Sequence, residues 1–140
     1  MEQLQGRKAL ITGGSRGLGK ATALALAAEG VDIAITGRNE EALLETIAEL
    51  QAYGVKAIYS VFDVADFEAT KKGIAYIHEA FGAIDILINN AGTASFGSFL
   101  EMEPERWQEI LNSVLQIINL FINARTAEAV THSVCAPAEL

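Results

Sequence analysis

Residues Thr12 to Gly19 read TGGSRGLG, and they decide how the rest of the chain is interpreted. The short apolar run Ala9-Leu10-Ile11 before them is of strand type, and Lys20 to Glu29 after them is rich in Ala and Leu, which is typical of a helix. Such a turn aims the first backbone N–H groups of the helix, at the positive end of its dipole, at whatever lies above the strand. The stretch therefore predicts an anion site. Taken by itself, a glycine-rich turn without a ligand is an equally good interpretation.

Three glycines of this turn have separate expected uses. Gly13 allows a turn that a Cβ would obstruct, and Gly17 lets the backbone approach a phosphate closely. Gly19 lets the helix lie close to the strand.

Composition limits the classes of protein to consider. At 140 residues and 51% hydrophobic, the chain is long enough for one globular domain over 1–140. The net charge of −8 argues against general affinity for nucleic acid or anionic membranes, so placed arginines and N–H groups must hold any anion. No apolar run approaches the ~20 residues of a membrane span, and the start, MEQLQGRK, lacks the layout of a secretory signal. With one cysteine, Cys135, the expectation is a cytoplasmic protein.

Strand and helix patterns alternate four times along the chain. The predicted strands are Lys8–Thr12, Val31–Thr36, Val55–Phe62 and Ile84–Ile88. Connections of this length require parallel strands with right-handed crossovers and helices on both faces, and apolar runs suit a sheet buried on both sides. The sequence therefore predicts an α/β fold, a Rossmann-type doubly wound parallel sheet in the order 3-2-1-4.

The helices between these strands have predicted starts and buried faces. Asn39 and Asp66 are expected to cap the second and third helices, and Glu103-Pro104 to open a long helix over Glu105 to Ala129. The expected buried positions are Leu18, Ala21, Ala25 and Ala28 in the first helix, Leu43, Ile47 and Leu50 in the second, and Ile74, Ile77 and Phe81 in the third.

Four segments fall at the carboxyl ends of the predicted strands: Thr12 to Gly19, Gly37-Arg38, Asp63-Val64 and Asn89 to Gly92. The order 3-2-1-4 puts a switch point between the first and fourth strands, and ligands of open α/β sheets bind at such points. This convergence strengthens the interpretation of the glycine turn as a site.

In these strand-end segments the chain resembles the short-chain dehydrogenase/reductase family. TGGSRGLG is similar to its T-G-x-x-x-G-x-G turn, Asn89 to Gly92 to its N-N-A-G motif, and Asp63-Val64 to its adenine-side D-V pair. The resemblance covers residues 1 to about 111. Within the family the sequence is most similar to the 3-oxoacyl-[acyl-carrier-protein] reductase group.

The resemblance implies a dinucleotide site. Its turn residues would wrap the phosphates, Asp63 would accept from the adenine amino group beside the Val64 backbone, and the N-N-A-G residues would line the nicotinamide-side ribose. For Asn89-Asn90 the alternative is a strand-ending turn that bonds its own backbone. The expected cofactor-binding residues are Gly13, Ser15, Arg16, Gly17, Leu18, Gly19, Arg38, Asp63, Val64, Asn89, Asn90, Ala91 and Gly92.

The end of the second strand favours NADP(H) over NAD. An acidic residue there holds the ribose 2′-OH of NAD, whereas a basic one accommodates the 2′-phosphate of NADP. This strand ends Thr36-Gly37-Arg38, without a carboxylate, and Arg16 can approach the same phosphate. Two guanidiniums on one dianionic group suit forked hydrogen bonds. The alternative is that Arg38 is a solvated loop charge.

The family's proton-transferring Y-x-x-x-K pair has no counterpart in the sequence. Tyr53, Tyr59 and Tyr76 are followed four residues later by Ala57, Asp63 and Ala80. We therefore expect no catalytic residue in the printed chain, although Asn119 locally resembles the family's supporting asparagine. In the family pattern that asparagine falls at the position where this chain has Val114, five residues before Asn119. His78, His132 and Cys135 lack metal-ligand spacing, so no metal is expected.

Three functions remain open from the sequence. The first is the cofactor-binding half, inactive as printed, of an NADPH-dependent carbonyl reductase acting on a ketone such as a 3-oxoacyl thioester. The others are a nucleotide-binding or regulatory module without chemistry, and a truncated product without function. Because the serine strand and the rest of the family sheet are expected to be missing, the fourth strand would be a bare edge beside an apolar helix, which predicts a homo-oligomer.

Overall fold

The computed structural model describes residues 4–92 and 102–112, and the backbone of 132–135. Residues 104–112 are helical. The other elements, in chain order, are β1 (Lys8–Thr12), α1 (Gly17–Ala28), β2 (Asp32–Gly37), α2 (Glu40–Gln51), β3 (Ala57–Val61), α3 (Phe67–Phe81), β4 (Ile86–Asn89) and β5 (His132–Cys135).

These five strands form one parallel sheet in the order β3-β2-β1-β4-β5. The predicted order 3-2-1-4 is confirmed for the first four strands. Thr12 of β1 pairs in register with Thr36 of β2, and Ile11 with Ile88 of β4. The carboxyl ends of these strands therefore meet at one edge of the sheet, as the switch-point interpretation requires.

The prediction of a bare fourth strand is wrong. β5 pairs with β4 in parallel, from Ile86 opposite His132 to Asn89 opposite Cys135. The pairing supplies partners for β4 backbone groups that an open edge would leave to solvent. The four residues His132–Cys135, HSVC, are too few and too mixed in polarity for a strand to be predicted from the sequence.

The long helix after the fourth strand is only partly within the described residues. It begins where Pro104 predicted it, and it is described as far as residue 112. Its expected continuation to Ala129 lies outside the described residues, as do residues 93–101, Val114 and Asn119.

The sheet is buried on both faces. On one face Ala9, Ile11 and Ile35 pack with α1 and α2, and on the other Leu10 and Ala34 pack with α3. All five of these side chains have no exposed surface. Two helical layers on a central sheet are the arrangement that the strand–helix alternation predicted.

The caps and buried faces of α2 and α3 are confirmed in their main features. Asn39 Oδ1 accepts from the Ala42 N–H and Asp66 Oδ1 from the Ala69 N–H, each at 3.0 Å. In α2 the predicted stripe Leu43, Ile47 and Leu50 is buried, and in α3 Ile77 and Phe81 are buried with Ile74 partly so.

The buried face predicted for α1 is wrong. Gly19, Ala23 and Ala27 are buried, whereas Leu18 is 55% exposed and Ala21, Ala25 and Ala28 are also exposed. An alanine-rich helix has apolar residues on every side, so the pattern of its sequence does not predict which face is buried. The buried face is set instead by the close packing of Gly19 against Gly13 and Asn90.

Candidate functional site

A cleft of about 520 Å³ opens at the carboxyl edge of the sheet. It lies between the glycine turn, the ends of β2, β3 and β4, and the helical residues 104–112. Its lining residues are Gly13, Ser15, Arg16, Gly17, Thr36, Gly37, Arg38, Phe62, Asp63, Val64, Ala65, Asn90, Ala91, Gly92, Arg106 and Glu109.

Most of the residues predicted as a site are brought together in this cleft, and three are not among its lining. Gly19 is buried in α1, Leu18 lies exposed in the first turn of that helix, and Asn89 is the half-buried last residue of β4. The predicted binding roles of these residues remain predictions.

Gly17 and Gly19 have different structural roles where the turn meets α1. Gly17 begins α1 with φ of 54°, a conformation that side chains disfavour, and a Cβ there would meet only open space at the cleft. A Cβ on Gly19 would collide with the Gly13 carbonyl oxygen and with Asn90 Nδ2. Gly17 thus leaves the cleft accessible to a ligand, and Gly19 lets α1 close onto the turn.

Thr12 and Asn90 fasten the turn to the end of β4. The Thr12 hydroxyl accepts from the backbone N–H groups of Asn90 at 3.1 Å and Ala91 at 3.0 Å. Asn90 Nδ2 donates to the carbonyl oxygens of Thr12 and Gly13, both at 3.1 Å. The amide of Asn90 therefore braces the floor of the cleft across the sheet instead of bonding its own strand-ending turn.

The amino end of α1 differs from those of the two other fully described helices. α2 and α3 each have a side-chain cap and acidic residues in the first turn. Among the described residues α1 has neither: Arg16 at its N-cap makes no side-chain cap bond. The first N–H groups of α1 are left for another acceptor, and no carboxylate opposes an anion there.

Five charged side chains line the cleft. Arg16, Arg38 and Arg106 are the cations, and Asp63 and Glu109 the anions. Arg38 Nη1 lies 3.9 Å from Asp63 Oδ2, with both side chains substantially exposed. Arg106 Nη1 lies 2.8 Å from Glu109 Oε2, one helical turn away. The lining described thus has an excess of positive charge in a chain of net charge −8.

The predicted binding residues leave out six residues of the lining, which are Thr36, Gly37, Phe62, Ala65, Arg106 and Glu109. Thr36 ends the predicted second strand, a position that could have marked it; its hydroxyl is buried and has no hydrogen-bond partner among the described residues. Arg106 and Glu109 belong to no motif, and only the packing of 104–112 brings them to the cleft.

Tyr59 is not prepared for proton transfer. Its hydroxyl donates to Glu40 Oε1 at 3.0 Å, and this hydrogen bond to a carboxylate raises the pKa of Tyr59 above its ordinary value. A tyrosine that acts as a general acid or base near neutral pH needs a shift in the opposite direction.

The described residues contain neither a metal-binding cluster nor a membrane-spanning helix. No group of His, Cys, Asp or Glu within them is arranged to hold a metal ion. Of the helices they contain, none is long and apolar enough to cross a membrane.

Comparison with known proteins decides the family. The family described as short chain dehydrogenase matches residues 7–131, nearly the whole chain. The chain belongs to this family. The resemblance seen in the glycine turn, the D-V pair and the N-N-A-G motif is therefore confirmed.

Individual family members show how far the likeness extends. Gluconate 5-dehydrogenase of Gluconobacter oxydans is 40% identical over 110 residues, which are 79% of this chain and 43% of that protein. A 3-oxoacyl-[acyl-carrier-protein] reductase of Staphylococcus aureus is 32% identical over 111 residues, 79% of this chain and 45% of that protein. The specific resemblance to the 3-oxoacyl-[acyl-carrier-protein] reductases is thus weak.

A crystal structure of a short chain dehydrogenase from Burkholderia cenocepacia in complex with NADP superposes with a TM-score of 0.81. It is 38% identical and the match covers 89% of this chain and 51% of that one. The present chain therefore spans about half the length of the relatives it matches.

Proposed function

We propose that the chain forms the NADP(H)-binding half of a carbonyl reductase of the short chain dehydrogenase family. The observation that carries the proposal is the juxtaposition of the uncapped amino end of α1 with Arg16 and Arg38 in one cleft. The tip of β2, Thr36-Gly37-Arg38, carries no carboxylate to hold a ribose 2′-OH. The complex of a relative with NADP supports this choice of cofactor.

The residues of this chain would hold the cofactor from phosphate to adenine. The α1 N–H groups and Ser15 would hold the pyrophosphate, and Arg16 and Arg38 would hold the 2′-phosphate. Asp63 and Val64, which also line the cleft, would contact the adenine edge. When bound, the reduced nicotinamide supplies a hydride to a carbonyl carbon. The chain's own contribution is to bind and orient the dinucleotide.

The substrate proposed for the whole protein is a ketone, such as a 3-oxoacyl thioester, and we expect that protein to be cytoplasmic. The expectation of a homo-oligomer no longer has a bare fourth strand as its ground, because β5 pairs with β4. No tyrosine of the sequence has lysine four residues later. The same observation favours a second candidate, a nucleotide-binding module without chemistry. Turnover of a ketone by these 140 residues with NADPH would contradict the account of the chemistry.

Calorimetric titration with NADPH and NADH tests the cofactor assignment. The wild-type chain is expected to prefer NADPH. The double variant Arg16→Ala/Arg38→Ala should lose at least about tenfold in NADPH affinity, because it removes charge-assisted hydrogen bonds to the 2′-phosphate, with little change for NADH. Arg7→Ala is the matched control, since Arg7 pairs with Asp85 at the amino end of β1.

An unchanged preference for NADPH in the double variant would remove the argument from the two arginines. Equal loss of affinity in Arg7→Ala would show that net charge, and not position in the cleft, governs binding.

A further inference from the structure

The geometry points to Asp63 as a residue that sets the discrimination between NADPH and NADH, acting through Arg38. The inference rests on the proposed function and deepens it. Arg38 comes directly after β2 and Asp63 two residues after β3, and these neighbouring strands pair up to Gly37 opposite Val61. The two side chains therefore meet at the same end of the cleft, with Nη1 and Oδ2 3.9 Å apart.

The carboxylate of Asp63 is held in place by its surroundings. Its Oδ1 accepts from the Ala65 N–H at 2.9 Å. Its backbone oxygen accepts from the Asp66 N–H at 2.9 Å and from the Thr70 hydroxyl at 3.3 Å. With Oδ1 engaged by Ala65, Oδ2 is the carboxylate oxygen directed to Arg38.

In this arrangement the guanidinium of Arg38 can interact with two anions, the carboxylate of Asp63 and the 2′-phosphate of the cofactor. When a 2′-phosphate enters, the guanidinium of Arg38 is attracted both by the phosphate and by the carboxylate of Asp63. The other charged groups of the described lining are Arg16, Arg106 and Glu109, and the last two pair with each other. Asp63 therefore opposes the preference that Arg16 and Arg38 create, so NADPH is bound less selectively than the arginines alone would allow.

The Asp63→Asn variant isolates this effect. Asparagine keeps the shape and can still accept from Ala65, but it has no charge to compete for Arg38. NADPH and NADH share the same adenine, so the ratio of their dissociation constants cancels any change in the adenine contact. Titration calorimetry at low ionic strength should show the preference for NADPH rising about two- to fivefold, the scale of an exposed ion pair.

Two further variants complete the experiment. Glu79→Gln removes an exposed carboxylate from the other end of α3 and should leave the ratio unchanged. In an Arg38→Met background, Asp63→Asn should also leave the ratio unchanged, because the route through Arg38 has been removed. Thermal melting of each variant checks that it is folded.

The possible results separate the two proposals. If the wild-type chain shows no preference for NADPH, the proposed function fails and the inference fails with it. If the wild type prefers NADPH but Asp63→Asn leaves the ratio unchanged or lowers it, the inference alone is overturned. A rise of the same size in the Arg38→Met background would show direct repulsion of the phosphate, which also overturns the route through Arg38.

Discussion

Thr12 joins the ends of two strands through one buried hydroxyl. It accepts from the N–H groups of Asn90 and Ala91 and so holds the glycine turn against the end of β4. The motif that contains Thr12 could be read from the sequence. Its partners across the sheet, more than seventy residues away, could not, because only the register of β1 with β4 brings them together.

Replacing Thr12 tests this role. Thr12→Val keeps the shape but takes the acceptor away from the partly buried N–H groups of Asn90 and Ala91, so the free energy of unfolding should fall by about 1–3 kcal/mol in urea titrations. NADPH affinity should fall as well, since the turn loses its anchor. Thr12→Ser keeps the hydroxyl and should retain the affinity, losing only the contribution of one methyl, about 1 kcal/mol. A Thr12→Val protein that binds NADPH as tightly as Thr12→Ser would contradict the assignment.

At the scale of elements, α1 shows what pattern could and could not predict. The caps of α2 and α3 were predictable because Asn39 and Asp66 precede apolar stripes with clear helical spacing. The buried face of α1 was not, because Ala and Leu occur on every side of it. The close approach allowed by Gly19 turns Leu18 outward, where it is 55% exposed in the first turn.

The exposure of Leu18 permits a test in which stability and binding move in opposite directions. Leu18→Glu puts a carboxylate at the positive end of the dipole and should raise the free energy of unfolding by about 0.3–1 kcal/mol. The same charge would repel the phosphates, so NADPH affinity should fall at least about tenfold.

Leu44→Glu is the control, because Leu44 is 48% exposed on α2, outside the cleft lining. It should leave the dissociation constant for NADPH within about twofold of the wild-type value. Unchanged binding in Leu18→Glu would show that the amino end of α1 does not face the phosphates.

At the scale of the molecule, the order of four strands and the edge of the sheet at which the cleft opens were both predictable. Apolar strands alternating with helices allow few topologies, and their carboxyl ends hold the motifs. Pairing of β5 with β4 and the approach of Arg106 and Glu109 were not predictable. Both depend on packing between segments whose local sequence carries no signal.

The central claim is that phosphates of NADPH rest on the amino end of α1 beside two arginines. Titration of the ¹⁵N-labelled chain with NADPH, followed by two-dimensional NMR, tests it most directly. The account predicts that the largest amide shifts occur at Gly17, Leu18 and Gly19, with further shifts at Arg38 that NADH does not reproduce. Unchanged amides in the glycine turn, with or without shifts elsewhere, would contradict it.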